Sequence, residues 1–182
     1  GVILKSDLQT PALTGGVLPR HKVAVAMPFV LLERFRSFSE SYARVSNEVD
    51  QEFVSQGRIS ILNAEGTNRI NAGSYFTSPV EDIIRFFCYL GFSEGATLLE
   101  LGSGKAAVSM AAAACFGVSA DAIELWSDAH EFASCVKDSL EGCSVLGKNS
   151  VRTINANLLD ESIDFGKYEY LYYFSRGMND QD

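Results

Sequence analysis

The chain has 182 residues, 47% of them hydrophobic and 21% charged, proportions that suit a core-forming globular protein and exclude a disordered or collagen-like one. Its net charge of −8 is unevenly spread: residues 1–80 carry 8 basic and 7 acidic side chains, residues 81–182 carry 7 and 16. The second half is too acidic for a broad nucleic-acid surface. Four cysteines without a CxxC pair and two histidines, His21 and His130, exclude a multi-histidine metal centre and assign no metal ligands.

Residues 1–27 read as an extended arm, punctuated by Pro11, Gly15, Gly16 and Pro19 with no helical period. No apolar run reaches the ~20 residues of a membrane span; the stretch Val23–Leu32 is interrupted by Pro28. From Pro28 to about Val54, Leu31, Phe35, Phe38, Tyr42, Val45, Val49 and Phe53 recur at steps of three and four, one apolar stripe along a long helix that Gly57 stops. Its stripe packs on the chain's own domain or on a partner. At 1.5 Å per residue the helix runs ~37 Å, longer than a small sheet covers, so Phe35, Phe38 and Tyr42 are expected to lie partly against a partner protein.

Ile59–Leu62 reads as a short strand, followed by a Gly/Asn-rich loop. Ser78, Pro79 and Glu81 then form a capping box opening a helix with Val80, Ile83, Ile84, Phe87 and Leu90 inward, closed by Gly91. After it strands and helices alternate: Ala96–Leu101, helix Ala106–Phe116, Ala120–Leu125, helix Asp128–Leu140, then strands Ser150–Asn155 and Tyr168–Phe174. That order predicts βαβ units and a parallel sheet. The last strand, rich in tyrosine, is an apolar edge that needs cover from the arm, a partner or further chain. Two parts result: an arm and long helix over 1–74, and an α/β domain over 75–182. Cys88, Cys115 and Cys135 fall in apolar helical runs, which favours reduced thiols in an intracellular, reducing compartment.

The chemistry lies in Leu98-Leu99-Glu100-Leu101-Gly102-Ser103-Gly104-Lys105-Ala106, a strand, a glycine turn and a helix start. Glycines there let the backbone turn sharply and a ligand approach its amides. Glu124, twenty positions past Gly104 at the end of the next strand, is placed to accept both hydroxyls of a ribose. A dinucleotide site needs a further glycine where Ala106 and Ala107 stand, and a phosphate-binding lysine loop needs a different spacing around Lys105. A cofactor with an adenosine and no phosphates fits better, and S-adenosylmethionine is one. The plainer reading makes Glu100 and Glu124 solvent-facing strand ends, and Tyr172, Tyr173 and Phe174 sheet core. No Gly-x-Ser-x-Gly elbow is present, so a hydrolase is not supported.

Glu100-Leu-Gly102-Ser-Gly104 followed by Glu124 resembles motifs I and II of the class I, Rossmann-like S-adenosylmethionine-dependent methyltransferases. With Tyr75-Phe76-Thr77-Ser78-Pro79 leading a helix into that loop, and Ala111–Ala114 beyond it, the chain is similar to the small Dot1-type protein-lysine methyltransferases, including mitochondrial enzymes that modify ATP synthase subunit c. The resemblance covers roughly residues 75–175. It implies that Glu100 faces the methionine amino group, that Gly102, Ser103 and Gly104 lie against the cofactor, that Glu124 holds the ribose, and that Asn157 contacts the adenine amino group. Trp126 would cover an adenine face or serve as packing. No catalytic residue is assigned.

The sequence departs from the family at Lys105-Ala106, where Asp-Gly is usual, and ends at Asp182 before the last three of the family's seven strands. The domain is therefore expected to be incomplete at its C-terminus. Two functions follow: methyl transfer to a protein side chain, lysine foremost, or a non-catalytic methyltransferase-like subunit of a larger, mitochondrial assembly. A protein partner is expected at the 28–54 helix and the C-terminal sheet edge.

Overall fold

The computed structural model describes residues 2–4, 27–64, 78–158, 160 and 162–173. In chain order the elements are β1 (Val2–Leu4), α1 (Phe29–Ser55), α2 (Val80–Tyr89), β2 (Thr97–Leu101), α3 (Ala107–Phe116), β3 (Ser119–Glu124), α4 (Ser127–Gly142), β4 (Val151–Asn155) and β5 (Tyr170–Tyr173). Tyr75, Phe76, Thr77 and Phe174 lie outside the described residues.

The apolar stripe of α1 is buried inside this chain, and the expectation that Phe35 and Phe38 face a partner is corrected. Both side chains, with Val45, Val49 and Phe53, join one core with Ala111 and Ala112 of α3 and Phe132 and Val136 of α4. The alanines of α3 hold no bulk between the helix axes, so α1 rests on α3 and α4 rather than spanning the sheet. Tyr42 is half-buried against the same core. Phe29, Val30 and Val54 are the large apolar side chains that α1 leaves exposed.

α1 ends as its glycine predicts. Gly57 adopts φ +76°; its N–H donates to the Val54 carbonyl at 3.0 Å and that of Arg58 to the Phe53 carbonyl at 3.0 Å. This pair of bonds is a Schellman stop, which an L side chain at the left-handed position would disfavour. It turns Arg58 back over the Phe53 ring, 3.7 Å from the centroid.

Two local expectations fail. Ile59–Leu62 is not a strand: buried Asp50 accepts from the Ile61 and Leu62 amides at 2.7 and 3.1 Å and from Ser60 Oγ at 2.6 Å, so those donors are met by a side chain rather than a neighbouring strand. Ser78 does not cap α2, which starts one residue later than expected and takes Pro79 as its N-cap without a side-chain bond. Ser78 Oγ instead accepts from the Tyr172 hydroxyl at 3.3 Å, and Glu81 pairs with Arg85.

The sheet has the order β1-β5-β2-β3-β4. β5, β2, β3 and β4 run parallel, and β1 adds antiparallel to β5 with Val2 opposite Tyr172. The tyrosine-rich edge is thus covered by the first residues of the arm. Right-handed crossovers dictate the layers. Steps from β2 to β3 to β4 go one way and put α3 and α4 on the face formed by Leu98, Ala120, Ala122 and Val151. The return from β4 to β5 reverses direction and crosses the other face, where Ala156, Ile163 and Phe165 pack on Leu99, Ile123 and Leu171. The fold is α/β and Rossmann-like.

Candidate cofactor-binding site

In an open parallel sheet a ligand crevice opens at the carboxyl ends of the strands where the winding reverses. Here the reversal falls between β2 and β5, with β3 on the far side of β2. The predicted Gly102–Gly104 loop leaves β2 at this point. Glu124 ends β3, one step beyond the Leu101–Ile123 register pair.

The loop is tied down from below and open above. Ser103 N–H donates to the Ile123 carbonyl at 2.8 Å, and Ala106 N–H to the Ser103 carbonyl at 2.8 Å. Gly102 is exposed at φ +63°, and a Cβ built on it meets no atom within 4 Å. The side a ligand would approach is therefore free of protein atoms at Gly102. Ala106 also sits in the left-handed region, at φ 51°, which costs an L residue about 1–2 kcal/mol. Its methyl group is fully enclosed. The loop geometry therefore needs a third residue with positive φ, and this chain supplies alanine.

Glu124 reaches back to that loop. Its Oε2 accepts from the Gly104 N–H at 2.6 Å and its Oε1 from the Trp126 N–H at 2.8 Å. Burial raises its carboxyl above the ordinary range, while the amides of Trp126 and Gly104 act in the opposite direction. The Leu125 amide adds to them, so backbone N–H groups take up much of the acceptor capacity of a carboxylate, which has about four lone-pair directions. The exposed backbone at Gly102 and the Glu124 carboxylate are the groups at this edge that could meet an adenosine-bearing ligand without phosphates.

Glu100 is placed differently. It shares the helix-bearing face of the sheet with Leu98, and its Oε2 accepts from the N–H and the hydroxyl of Ser109 at 2.9 and 2.6 Å. Ser109 is the third residue of α3, whose N-cap Ala106 has no side-chain acceptor. Glu100 thus caps α3 from the neighbouring strand, meeting one of the donors a helix start leaves open. It is 3% exposed. Burial pushes its carboxyl up to about 7, against the opposing bonds from Ser109 and with added repulsion from Glu124.

Asn157 is exposed in the turn after β4, at the same edge of the sheet, and its carbonyl accepts from Asp160 N–H at 2.9 Å. Trp126 is buried, with its Nε1–H on Asp128 Oδ2 at 3.3 Å. The apolar side chain that stands open beside Glu124 is Leu125, 50% exposed. Three supporting residues escaped the sequence reading. Asn155 Nδ2 donates to the Glu124 and Leu125 carbonyls at 2.8 and 3.2 Å. Tyr42 donates from its hydroxyl to the Lys105 carbonyl at 3.2 Å, bracing the loop from α1. Ser109 anchors Glu100. Burial first, and then the Glu100 charge, raises the phenol of Tyr172 well above its ordinary value.

A cleft of about 190 Å³ lies at the opposite edge of the sheet, lined in part by Thr97, Ser119, Asn149, Ser150 and Tyr168. Its one carboxylate, Asp121, is taken up by Arg152 and Tyr168.

No family model and no curated protein matches the chain. Among solved structures, a SAM-dependent methyltransferase from Thiobacillus denitrificans in complex with S-adenosyl-L-homocysteine is 25% identical, over 54% of this chain and 36% of its own, with a TM-score of 0.39. A precorrin-6y C5,15-methyltransferase from Geobacter metallireducens is 16% identical over 49% and 43%, with a TM-score of 0.32. Coclaurine N-methyltransferase bound to N-methylheliamine and S-adenosylhomocysteine is 14% identical over 70% and 41%, with a TM-score of 0.36. The chain spans less than half the length of each. Fold and site together define a Rossmann-like α/β protein with a glycine cradle and a carboxylate on adjacent strand ends.

Proposed function

We propose that the chain is the S-adenosylmethionine-binding part of a class I-type methyltransferase acting on a protein side chain, lysine foremost. One observation carries this reading: Glu124 stands over the glycine loop at the reversal point of the sheet, pre-aimed by the Gly104 and Trp126 amides. When bound, the sulfonium of S-adenosylmethionine supplies an electrophilic methyl group. Glu124 would accept the ribose hydroxyls, and the Gly102–Gly104 backbone would lie against the cofactor. Glu100 holds the start of α3, so the loop keeps its face to the crevice. Tyr42 holds the loop's far end through the Lys105 carbonyl. Transfer to an amine needs position and exclusion of water more than an acid–base pair. The choice of lysine and a mitochondrial location rest on the resemblance around Ser78-Pro79 and the glycine loop.

A second reading, a methyltransferase-like assembly subunit, is favoured by the departure at Lys105-Ala106 from the family's usual Asp-Gly, which leaves an alanine in the left-handed region at φ 51°. Incubation with methyl-labelled S-adenosylmethionine and lysine-containing peptides separates the two. Labelled methyl-lysine in the hydrolysate supports the first reading. Cofactor binding without label transfer to any peptide supports the second.

A further inference from the structure

The glycine stop of α1 delivers Arg58 to a place that α1 itself does not explain. The guanidinium lies over Phe53 and spans two carboxylates of α4: Nη2 to Asp128 Oδ1 at 2.8 Å, and Nη1 and Nη2 to Glu131 at 2.8 and 3.0 Å. Fastening α1 to α4 would need only the forked pair with Glu131. Asp128, however, turns its second oxygen to the Trp126 indole N–H, and the backbone N–H of Trp126 is what holds Glu124 Oε1. Four groups from two separate parts of the sequence form one path: Arg58, Asp128, Trp126, Glu124.

We propose that Arg58 and Asp128 are positioning residues for the cofactor site, setting the pose of Trp126 and through it the aim of Glu124. The inference rests on the reading of Glu124 as the ribose acceptor. Arg58 orients Asp128 by a charge-assisted bond, leaving the other Asp128 oxygen directed at the indole. The indole then fixes the second residue after β3, where a small rotation of the backbone would carry the Trp126 N–H away from Glu124. A lysine could not span both carboxylates in this way, having one point charge in place of a planar fork. The path also makes the stop of α1 a structural support of the strand end, with Arg58 70 positions before Asp128.

Trp126 is the only tryptophan of the chain, so its emission reports this path directly. The test compares Arg58→Met, Arg58→Lys, Asp128→Ala and Glu131→Gln with the parent chain, each checked for folding by circular dichroism. Two quantities are read: Trp126 emission of the free protein, and S-adenosylhomocysteine affinity by calorimetry. Arg58→Met and Asp128→Ala should each shift the emission and weaken binding roughly three- to tenfold, the range for coupled neighbours. Combined, they should weaken it little more than either alone, because both break one path. Arg58→Lys should fall short of the parent affinity. Glu131→Gln should leave emission and affinity near the parent values. Should Arg58→Met fail to fold, Asp128→Ala, whose side chain is 40% exposed, carries the same test. Unchanged affinity in folded Asp128→Ala, or an equal loss in Glu131→Gln, overturns the positioning role. A parent chain that binds no S-adenosylhomocysteine overturns the Glu124 reading together with this one, whereas binding that ignores Asp128 overturns this one alone.

Discussion

Replacing Glu100 by glutamine keeps an oxygen that can accept from Ser109 and removes the charge. In the folded chain burial raises the carboxyl from an ordinary 4.5 to about 7. Below pH 4.5 the group is neutral in folded and unfolded chains alike. Between those values the unfolded chain releases the proton first, so folding loses stability as pH rises and reaches a plateau above about 7. At 1.36 kcal/mol per unit, the rise from 4.5 to about 7 sets a loss of about 3 kcal/mol at most. Urea unfolding of the parent chain and Glu100→Gln, at pH 5 and pH 8, isolates this group because every other titration cancels in the difference. The advantage of the glutamine variant should widen by about 2–3 kcal/mol between the two pH values. A gap that stays constant or narrows would refute the reasoning. It would mean that the Ser109 bonds and the α3 dipole favour the charged form enough to outweigh its burial.

Ala106→Gly releases about 1–2 kcal/mol of left-handed strain and loses a buried methyl worth about 0.8 kcal/mol. Its melting temperature should therefore stay near the parent's, while Ala106→Val, β-branched at a positive φ, should lower it steeply. Phe53→Ala removes a 4%-exposed ring that meets Phe132 edge-on, and urea unfolding should show a loss of about 3–5 kcal/mol. Deleting residues 1–4 strips β1 from β5 and should cause self-association in sedimentation runs; a monodisperse monomer would show that this edge needs no cover.

Residues 96–173 were legible because their periods are local. Each apolar run and each alanine-rich or amphipathic stretch became the expected strand or helix within two residues, bounded by the glycines and polar turns that marked it. The loop and its carboxylate were legible for the same reason, since the strand–glycine–helix order places them on adjacent strand ends. The misses concern partners that spacing does not show. A stripe such as Phe35, Phe38 and Tyr42 marks which face of a helix is buried, not which surface buries it. The amides of Ile61 and Leu62 are met by Asp50 from the preceding helix, a contact with no local signal. Ser78 lost its capping role to a bond with Tyr172, 94 positions away. Glu100 was placed by parity: two residues past Leu98, it points to the helix face, where Ser109 meets it. That parity was readable, but the position of Ser109 against it was not.

The central claim is that Glu124 and the glycine loop form a site for S-adenosylmethionine. Calorimetric titration of the parent chain and Glu124→Ala with S-adenosylmethionine and S-adenosylhomocysteine tests it most directly. The parent should bind both at one site per chain, and the alanine variant should bind each more weakly by about 1–3 kcal/mol, the cost of a lost acceptor for buried hydroxyls. No heat of binding in the parent, or equal affinity in the two chains, would contradict it.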